Sequence, residues 1–527
     1  QFSLWRLVMC GVGLVRQRWS FGGTLRRLST AVKERTGEAS GLVESSKNGL
    51  DDGARDTLGR RLFRLVYTKR SAAIEIAKWR EEGHKVQKYQ LNRIVRELRK
   101  LKRYKHALEV CEWMAQQQEL RLLPGDYAVH LDLVNKIRGL KSAEKFFEDL
   151  PDKLRVRETC NTLLHVYVQS KLVDQAEALM EKMSECGFLK NALPYNHMLR
   201  LYFSLGQMDK FINLVHELKK NTSPDIVTYN LIFCAFASKC DVEGADKLLS
   251  DLEKRNLQPD WVTYSTLANL YIKKEFYDKA AATLEKMELS VSRRERPAFS
   301  SLVTLYANLR DVNGVLRVWK EMGSLYRKRS DAEYLCMIAS LLKLEQFHEA
   351  ESLYKEWESV SGTGDPRVSN LLLASYINRG LADDAQKFYH RMVETGIRNC
   401  YTTWELLTMS SLKRNQMVEA LDFLEKAITS VKTWDFDKEL IGEISKKLEE
   451  LGDTDGVERL LVILRKVDHL SIDIYKSLLR TYEKAGKMPP IIAERMRKDS
   501  IEPDEEARRL IKSTRTLSVS DVSSLLS

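Results

Sequence analysis

Seven cations crowd into thirteen residues of this chain: Arg93, Arg96, Arg99, Lys100, Lys102, Arg103 and Lys105, countered only by Glu97. Guanidinium and ammonium groups set this closely, on a helix and its following turn, suit phosphate. Each neutralised phosphate releases condensed counterions, which makes such binding strong and salt-dependent. Tyr104, interleaved among them, supplies a ring that could help grip structured RNA without reading its sequence. The same run also fits a solvated charged face, and the sequence leaves both readings open.

Other chemistries are poorly provided for. The eight cysteines (Cys10, Cys111, Cys160, Cys186, Cys234, Cys240, Cys336, Cys400) are scattered and never form a Cys-x-x-Cys. That argues against zinc and against a disulfide framework; they read as buried free thiols of a reducing compartment. Gly11-Val12-Gly13 is not a phosphate loop, because no strand precedes it. Glu449-Glu450 is a carboxylate pair on a charged helical surface and reads as solvated. No metal, cofactor, small-molecule substrate or catalytic residue is expected, so the chain reads as a non-enzyme.

The elements that must position these groups are helices. The chain has 527 residues, 43% hydrophobic and 30% charged, with only 10 Pro and 25 Gly, a helix-favouring composition. No apolar run approaches the roughly 20 residues of a membrane span, so no membrane partner is expected. The net charge is +11, but residues 1–33 carry six basic side chains (Arg6, Arg16, Arg18, Arg26, Arg27, Lys33) and no Asp or Glu. Removing those six leaves +5 for the rest of the chain. Global basicity is therefore a weak argument for nucleic acid.

Residues 1–33, arginine-rich and acid-free, have the composition of a mitochondrial transit peptide. Arg26-Arg27-Leu28-Ser29 resembles a processing site, with Arg three residues before a cut after Leu28. A chloroplast leader, the alternative, would carry more Ser and fewer Arg. A secretory signal would need a longer apolar stretch. The mitochondrial matrix is thus the expected compartment. Residues 34–56 read as a flexible linker, residues 57–506 as the folded body, and residues 507–527 as a polar C-terminal tail.

The body is a repeat. Ala245, Ala280, Ala350, Ala385 and Ala420 stand 35, 70, 35 and 35 residues apart, with Val315 at the missing step. Tyr167, Tyr202, Phe236, Tyr271, Tyr306 and Tyr376 keep the same register, as do Met287, Met322, Trp357 and Met392. Between Ile226 and Asp260 an apolar-periodic segment, a break at Lys239-Cys240-Asp241 and a second amphipathic segment follow one another, and Pro259 stops the second. Two such helices cannot bury their apolar faces alone, but stacked pairs can. The predicted fold is all-α: a right-handed α-solenoid superhelix of about 12 stacked helix-turn-helix repeats of ~35 residues. The units frame as 88–125, 126–156, 157–191, 192–225, 226–260, 261–295, 296–330, 331–365, 366–400, 401–435, 436–471 and 472–506, with a helix pair at 57–87 ahead of them.

Ile-Val-Thr-Tyr-Asn at 226–230 and Trp-Val-Thr-Tyr-Ser at 261–265, in units ending in Pro-Asp or a similar pair, resemble the pentatricopeptide repeat. The resemblance is to the P-type branch without an editing domain and, through its long arrays, to plant mitochondrial members. It implies that one residue at unit position 5 and one at position 35 read the edge of one RNA base, while position 2 stacks on it. Asn161 with Asn191 is then expected to accept a pyrimidine. Asn196 with Asp225 and Asn230 with Asp260 are expected to read uridine, with Leu193, Val227 and Val262 as apolar faces. Ser265 follows at the next position 5. Beyond it the pattern departs: Ser265 meets Glu295, Ser300 meets Ser330, Asn370 meets Cys400, and Leu335 and Glu405 replace the reading side chain. The cytidine-deaminase-like module of some family members needs HxE and CxxC motifs. His348-Glu349 are adjacent and no CxxC exists.

Two functions fit: a mitochondrial binder of single-stranded or ribosomal RNA in organellar RNA metabolism or translation, and an interaction subunit of the mitochondrial ribosome with little sequence reading. The expected partner is RNA, either organellar mRNA or rRNA, with mitochondrial ribosomal proteins in the second case.

Overall fold

A computed structural model describes residues 56–65, 70–431, 438–487, 489 and 491–513. The expected leader at 1–33, nearly all of the linker at 34–56 and residues 514–527 lie outside them. Among the described residues every regular element is a helix. Contacts divide the chain into two compact units, one ending at Thr283 and the other beginning at Leu284.

The N-terminal unit stacks helix pairs in the expected frame. Lys88–Lys100 pairs with Tyr104–Gln116, Arg157–Ser170 with Val173–Glu185, Ala192–Leu205 with Met208–Asn221, and Ile226–Lys239 with Val242–Lys254. Three of the first helices start where a polar side chain satisfies an orphan amide: Asn191 caps Leu193, Asp225 caps Thr228 and Asp260 caps Thr263. The short unit at 126–156 has a structural cause. Its helices, Pro124–Arg138 and Leu140–Glu148, are joined by Gly139 alone, at φ 87° and ψ 179°, a conformation essentially confined to glycine.

The C-terminal unit continues the pattern with Arg296–Asn308 and Val312–Leu325, Asp331–Lys343 and Phe347–Val360, Pro366–Asn378 and Ala382–Glu394, and Tyr401–Lys413 and Met417–Thr429. Lys438–Leu451, Thr454–Arg465, Ile472–Lys484 and Ile492–Lys498 follow. A further helix over 505–513 buries Ala507 in the core cluster that also holds Leu479 and Met496. The packed body therefore runs past residue 506, where the sequence reading began a polar tail.

The three periodic series are core. Ala245, Ala280, Ala350 and Ala420 are fully buried, as are Val315 and Met287, so neighbouring helices approach closely at the small residues and methionine fills the gaps. The tyrosines do more than fill space. Tyr202 donates to Glu177 at 2.8 Å, Tyr271 to Asp246 at 2.5 Å and Tyr376 to Glu351 at 2.6 Å, each carboxylate lying on the preceding unit's second helix. Lys210 and Lys279 pair with the same Glu177 and Asp246 at 2.6 and 2.9 Å. Each rung thus ties one repeat to the next by polar bonds as well as apolar contact.

The turn between paired helices is left-handed at Lys171, Gly206, Cys240, Glu275, Arg310, Glu345, Gly380 and Asn415. After Cys240 and Arg310 an Asp caps the second helix: Asp241 accepts the Gly244 amide and Asp311 the Gly314 amide, both at 2.9 Å. A Cβ on Gly244 would lie 2.5 Å from the Phe236 ring and from Asp241 Oδ2, which is why the residue three after that cap has no side chain.

Candidate nucleic-acid interface

The first helices of the N-terminal unit repeat one arrangement of side chains. Asn196 is 5% exposed, and its Nδ2 donates to Asp225 Oδ1, the cap of the next first helix, at 2.9 Å. Thr228, fully buried, donates its hydroxyl to Asn196 Oδ1 at 2.7 Å. One unit on, Asn230 Nδ2 donates to both oxygens of Asp260 at 3.1 Å, and Thr263 donates to Asn230 Oδ1 at 2.6 Å. Each amide thus has its oxygen turned inward and one N–H on the carboxylate. The second amide N–H and a carboxylate lone pair are left to face a ligand. Leu193 and Val227 stand 46% and 40% exposed beside them, and Val262 is half-buried. A donor, an acceptor and an apolar face at each unit can hydrogen-bond the edge of a flat heterocycle and cover its ring.

The structure does not treat all the expected residues alike. Asn161 is 8% exposed, and its Oδ1 has no hydrogen-bond partner among the described residues. Asn191 accepts the Leu193 amide at 3.3 Å as a helix cap. Ser265 donates its hydroxyl back to the Val262 carbonyl at 3.0 Å, so its proton serves its own helix. In the C-terminal unit Asn370, the expected departure, keeps the arrangement: Nδ2 faces Cys400 Sγ at 3.4 Å and Thr403 donates to Oδ1 at 3.0 Å. Glu405 is buried, with Tyr401 donating to it at 3.4 Å.

The seven-cation patch is not one field of open charge. Arg99 pairs with Asp132 at 2.7 Å, Lys100 with Glu97 at 2.8 Å, and Arg103 donates to the Phe63 carbonyl at 2.7 Å. Lys102 occupies the left-handed turn, and Lys105 is exposed. Arg93 and Arg96 are exposed on Lys88–Lys100 and make no ion pair among the described residues. A helix built to pack on its neighbours uses some of its cations for that packing; the sequence count alone cannot separate the two groups.

One further position escaped the sequence reading. Asn92 Nδ2 donates to Asp126 at 3.0 Å, and Lys88 pairs with the same carboxylate at 2.7 Å. Tyr89 is 77% exposed one turn before Asn92. Arg96, Arg99 and His130 join Asn92 and Asp126 in lining a cleft of about 170 Å³. Tyr89 and Asn92 hold positions 2 and 5 of unit 88–125, so the frame could have found them. The acceptor was hidden because it sits in the first turn of the next helix instead of at its cap.

The four buried thiols are held protonated. Burial pushes Cys111 up to about 12 and Cys160, Cys234 and Cys336 up to about 11, whereas Cys186 is exposed and Cys240 and Cys400 are half-buried. No metal-holding group of His, Cys, Asp or Glu occurs among the described residues.

Known proteins share this arrangement of units. The PPR repeat profile matches residues 158–188, 262–290, 297–325, 334–360 and 368–397. The PPR repeat family profile matches 224–273, and the pentatricopeptide repeat domain profile 178–239. A mitochondrial pentatricopeptide repeat-containing protein of Arabidopsis thaliana is 55% identical over 496 residues, which is 94% of this chain and 93% of that protein. The chain belongs to the pentatricopeptide-repeat family. A second mitochondrial pentatricopeptide repeat-containing protein of Arabidopsis is 30% identical over 87% of this chain and 94% of its own length. Among solved pentatricopeptide repeat structures, maize PPR10 aligns with 87% of this chain and 65% of its own at 17% identity, with a TM-score of 0.42.

Proposed function

We propose that this pentatricopeptide-repeat chain binds single-stranded RNA in mitochondria, without catalysis, and reads a short pyrimidine-containing run at its N-terminal repeats. The observation that carries the reading is the clamped amide of Asn196 and of Asn230, each held against an exposed or half-buried carboxylate at the same step of the repeat. Such an amide offers a donor beside an acceptor, and the exposed Leu193 and Val227 suit stacking of a base. The mitochondrial designation of the Arabidopsis relatives and the composition of residues 1–33 support the compartment.

A role in ribonucleoprotein assembly, the second reading, is supported by the other repeats. Ser265 donates to its own helix and Glu405 is buried, which favours a scaffold that holds folded RNA or protein there. Sedimentation of mitochondrial extract, with and without magnesium, separates the two roles. A free pool with a uridine-rich RNA footprint, lost on Asn196→Ala with Asn230→Ala, supports the reading binder. Stoichiometric co-migration with a ribosomal subunit and no such footprint would sink it in favour of the mitochondrial ribosome.

A further inference from the structure

The buried threonine three residues after the first-helix caps Asp225, Asp260 and Cys400 contacts the amide of the preceding unit's asparagine. Thr228, Thr263 and Thr403 are all fully buried, and each hydroxyl lies within donating distance of the amide oxygen of the preceding unit's Asn196, Asn230 or Asn370, at 2.7, 2.6 and 3.0 Å; for Thr228 and Thr263 the cap carboxylates lie slightly farther from the same hydroxyl, at 2.9 and 3.0 Å. The contact holds whether the cap is Asp225, Asp260 or Cys400, so it does not depend on the carboxylate. Where no such amide precedes it, Thr159 donates instead to the Leu154 carbonyl at 2.7 Å.

One asparagine unit that lacks the contact supplies the contrast. The third residue after the Asn191 cap is Pro194, which has no hydroxyl. Asn161, more than nine-tenths buried, is left with Oδ1 unpartnered. Its neighbour at the cap, Asn191, is an amide and so offers either polarity, unlike a carboxylate. Among the described residues no hydrogen bond to Oδ1 fixes which end of the Asn161 amide faces outward.

We propose that Thr228 and Thr263 are positioning residues that, together with the Asp225 and Asp260 carboxylates, set base preference by fixing the outward polarity of Asn196 and Asn230, and that Pro194 leaves the Asn161 position, flanked by the amide of Asn191, permissive. With the amide oxygen held inward by the threonine proton, only N–H is presented to a base. An amide free to turn presents either C=O or N–H, and so accepts uracil and cytosine edges more evenly. This rests on the RNA-binding reading above and adds to it the residue that governs discrimination.

The test is selection of a randomised single-stranded RNA pool by the full chain and its variants, with sequencing of the bound fraction. The wild type enriches a motif in which the uracil-to-cytosine preference at two neighbouring positions exceeds that at the position beside them. Thr228→Val lowers that preference about tenfold at one position only, and Thr228→Ser restores it. Pro194→Thr, on the opposite side of the argument, sharpens the preference at the permissive position. A Thr228→Val chain that binds all sequences more weakly with its preferences intact overturns the positioning role and leaves RNA binding standing. A wild-type chain that retains no RNA overturns both. Matching thermal melts of Thr228→Ser and Pro194→Thr keep folding out of the comparison.

Discussion

The Asn92 amide donates to the Asp126 carboxylate at 3.0 Å, across the boundary between two repeats. It reproduces the contact made by Asn196 and Asn230, with Tyr89 exposed at the stacking place. Asn92→Ala is expected to weaken RNA binding about tenfold, within the range for one well-made base-edge contact. Fluorescence anisotropy on the RNA enriched by the wild type measures it, and an unchanged affinity would remove this unit from the interface.

Arg93 and Arg96 point to the salt dependence. Neutralising both as Arg93→Gln with Arg96→Gln should flatten the slope of log affinity against log salt by about 1 to 1.5, at roughly 0.7 per phosphate contact on a single strand. Arg99→Gln and Arg103→Gln should instead lower the melting temperature, because those guanidiniums hold Asp132 and the Phe63 carbonyl.

The tyrosine rungs give a stability prediction. Tyr202→Phe removes the donor to Glu177 and keeps the ring. It should cost on the order of 1.5–3 kcal/mol, the range for a hydrogen bond to a charged group. Chemical denaturation reads the loss. Burial, reinforced by the Glu177 carboxylate, already holds the Tyr202 phenol far above its ordinary pKa, so the bond persists through neutral pH. A Tyr202→Phe chain as stable as the wild type would make the rung decorative.

Close packing at the second-helix caps predicts that Gly244→Ala destabilises by about 1–3 kcal/mol through overpacking. The added methyl group meets the Phe236 ring and Asp241. Phe236→Leu in the same chain should recover part of the loss, which a merely local helix effect would not allow.

Acid sensitivity should begin before the carboxylates titrate. Burial lowers His130 to about 4, helped by Arg138, and lowers His197 to about 3, helped by His165 and Arg200. Both imidazoles stay neutral in the fold while the unfolded chain takes up protons below about 6.5. Their contribution is therefore complete above pH 6.5 and declines as pH falls from there towards their folded values. At pH 5 the loss reaches at most about 2 kcal/mol for each imidazole. Melts from pH 7.5 to 5 should show the decline, and His197→Leu should reduce it. Below the ordinary carboxylate range a second loss follows. Burial works against ionisation of Glu177 and Glu458, but Lys210 with Tyr202, and Arg495 with Tyr482, outweigh it and depress both groups.

The repeat frame was legible because Ala245, Tyr271 and Met287 each belong to a series with one period, and a period of buried residues is what stacked helix pairs require. The left-handed turn was not, because Lys171, Cys240, Glu275 and Arg310 share a backbone conformation and no side-chain chemistry. The pairing of Asn196 with Asp225 and of Asn230 with Asp260 was indicated by the resemblance, and the two side chains of each pair do meet. What the sequence concealed was the state of each polar group: Ser265 with its proton on Val262, Arg99 held by Asp132, and Asn161 left without a partner for its oxygen. Those outcomes depend on which neighbour lies within three ångströms, and no residue type announces that.

The foreshortened pair of helices joined at Gly139 has one more consequence. Between Asn92 and Asn161 the corresponding place is taken by His130, buried against Phe146. A strand of RNA laid one nucleotide to a unit would meet a reader, then a silent step, then Asn161, Asn196 and Asn230 in succession. Its recognition sequence would be split, with one letter set apart from three by a position where any base is allowed.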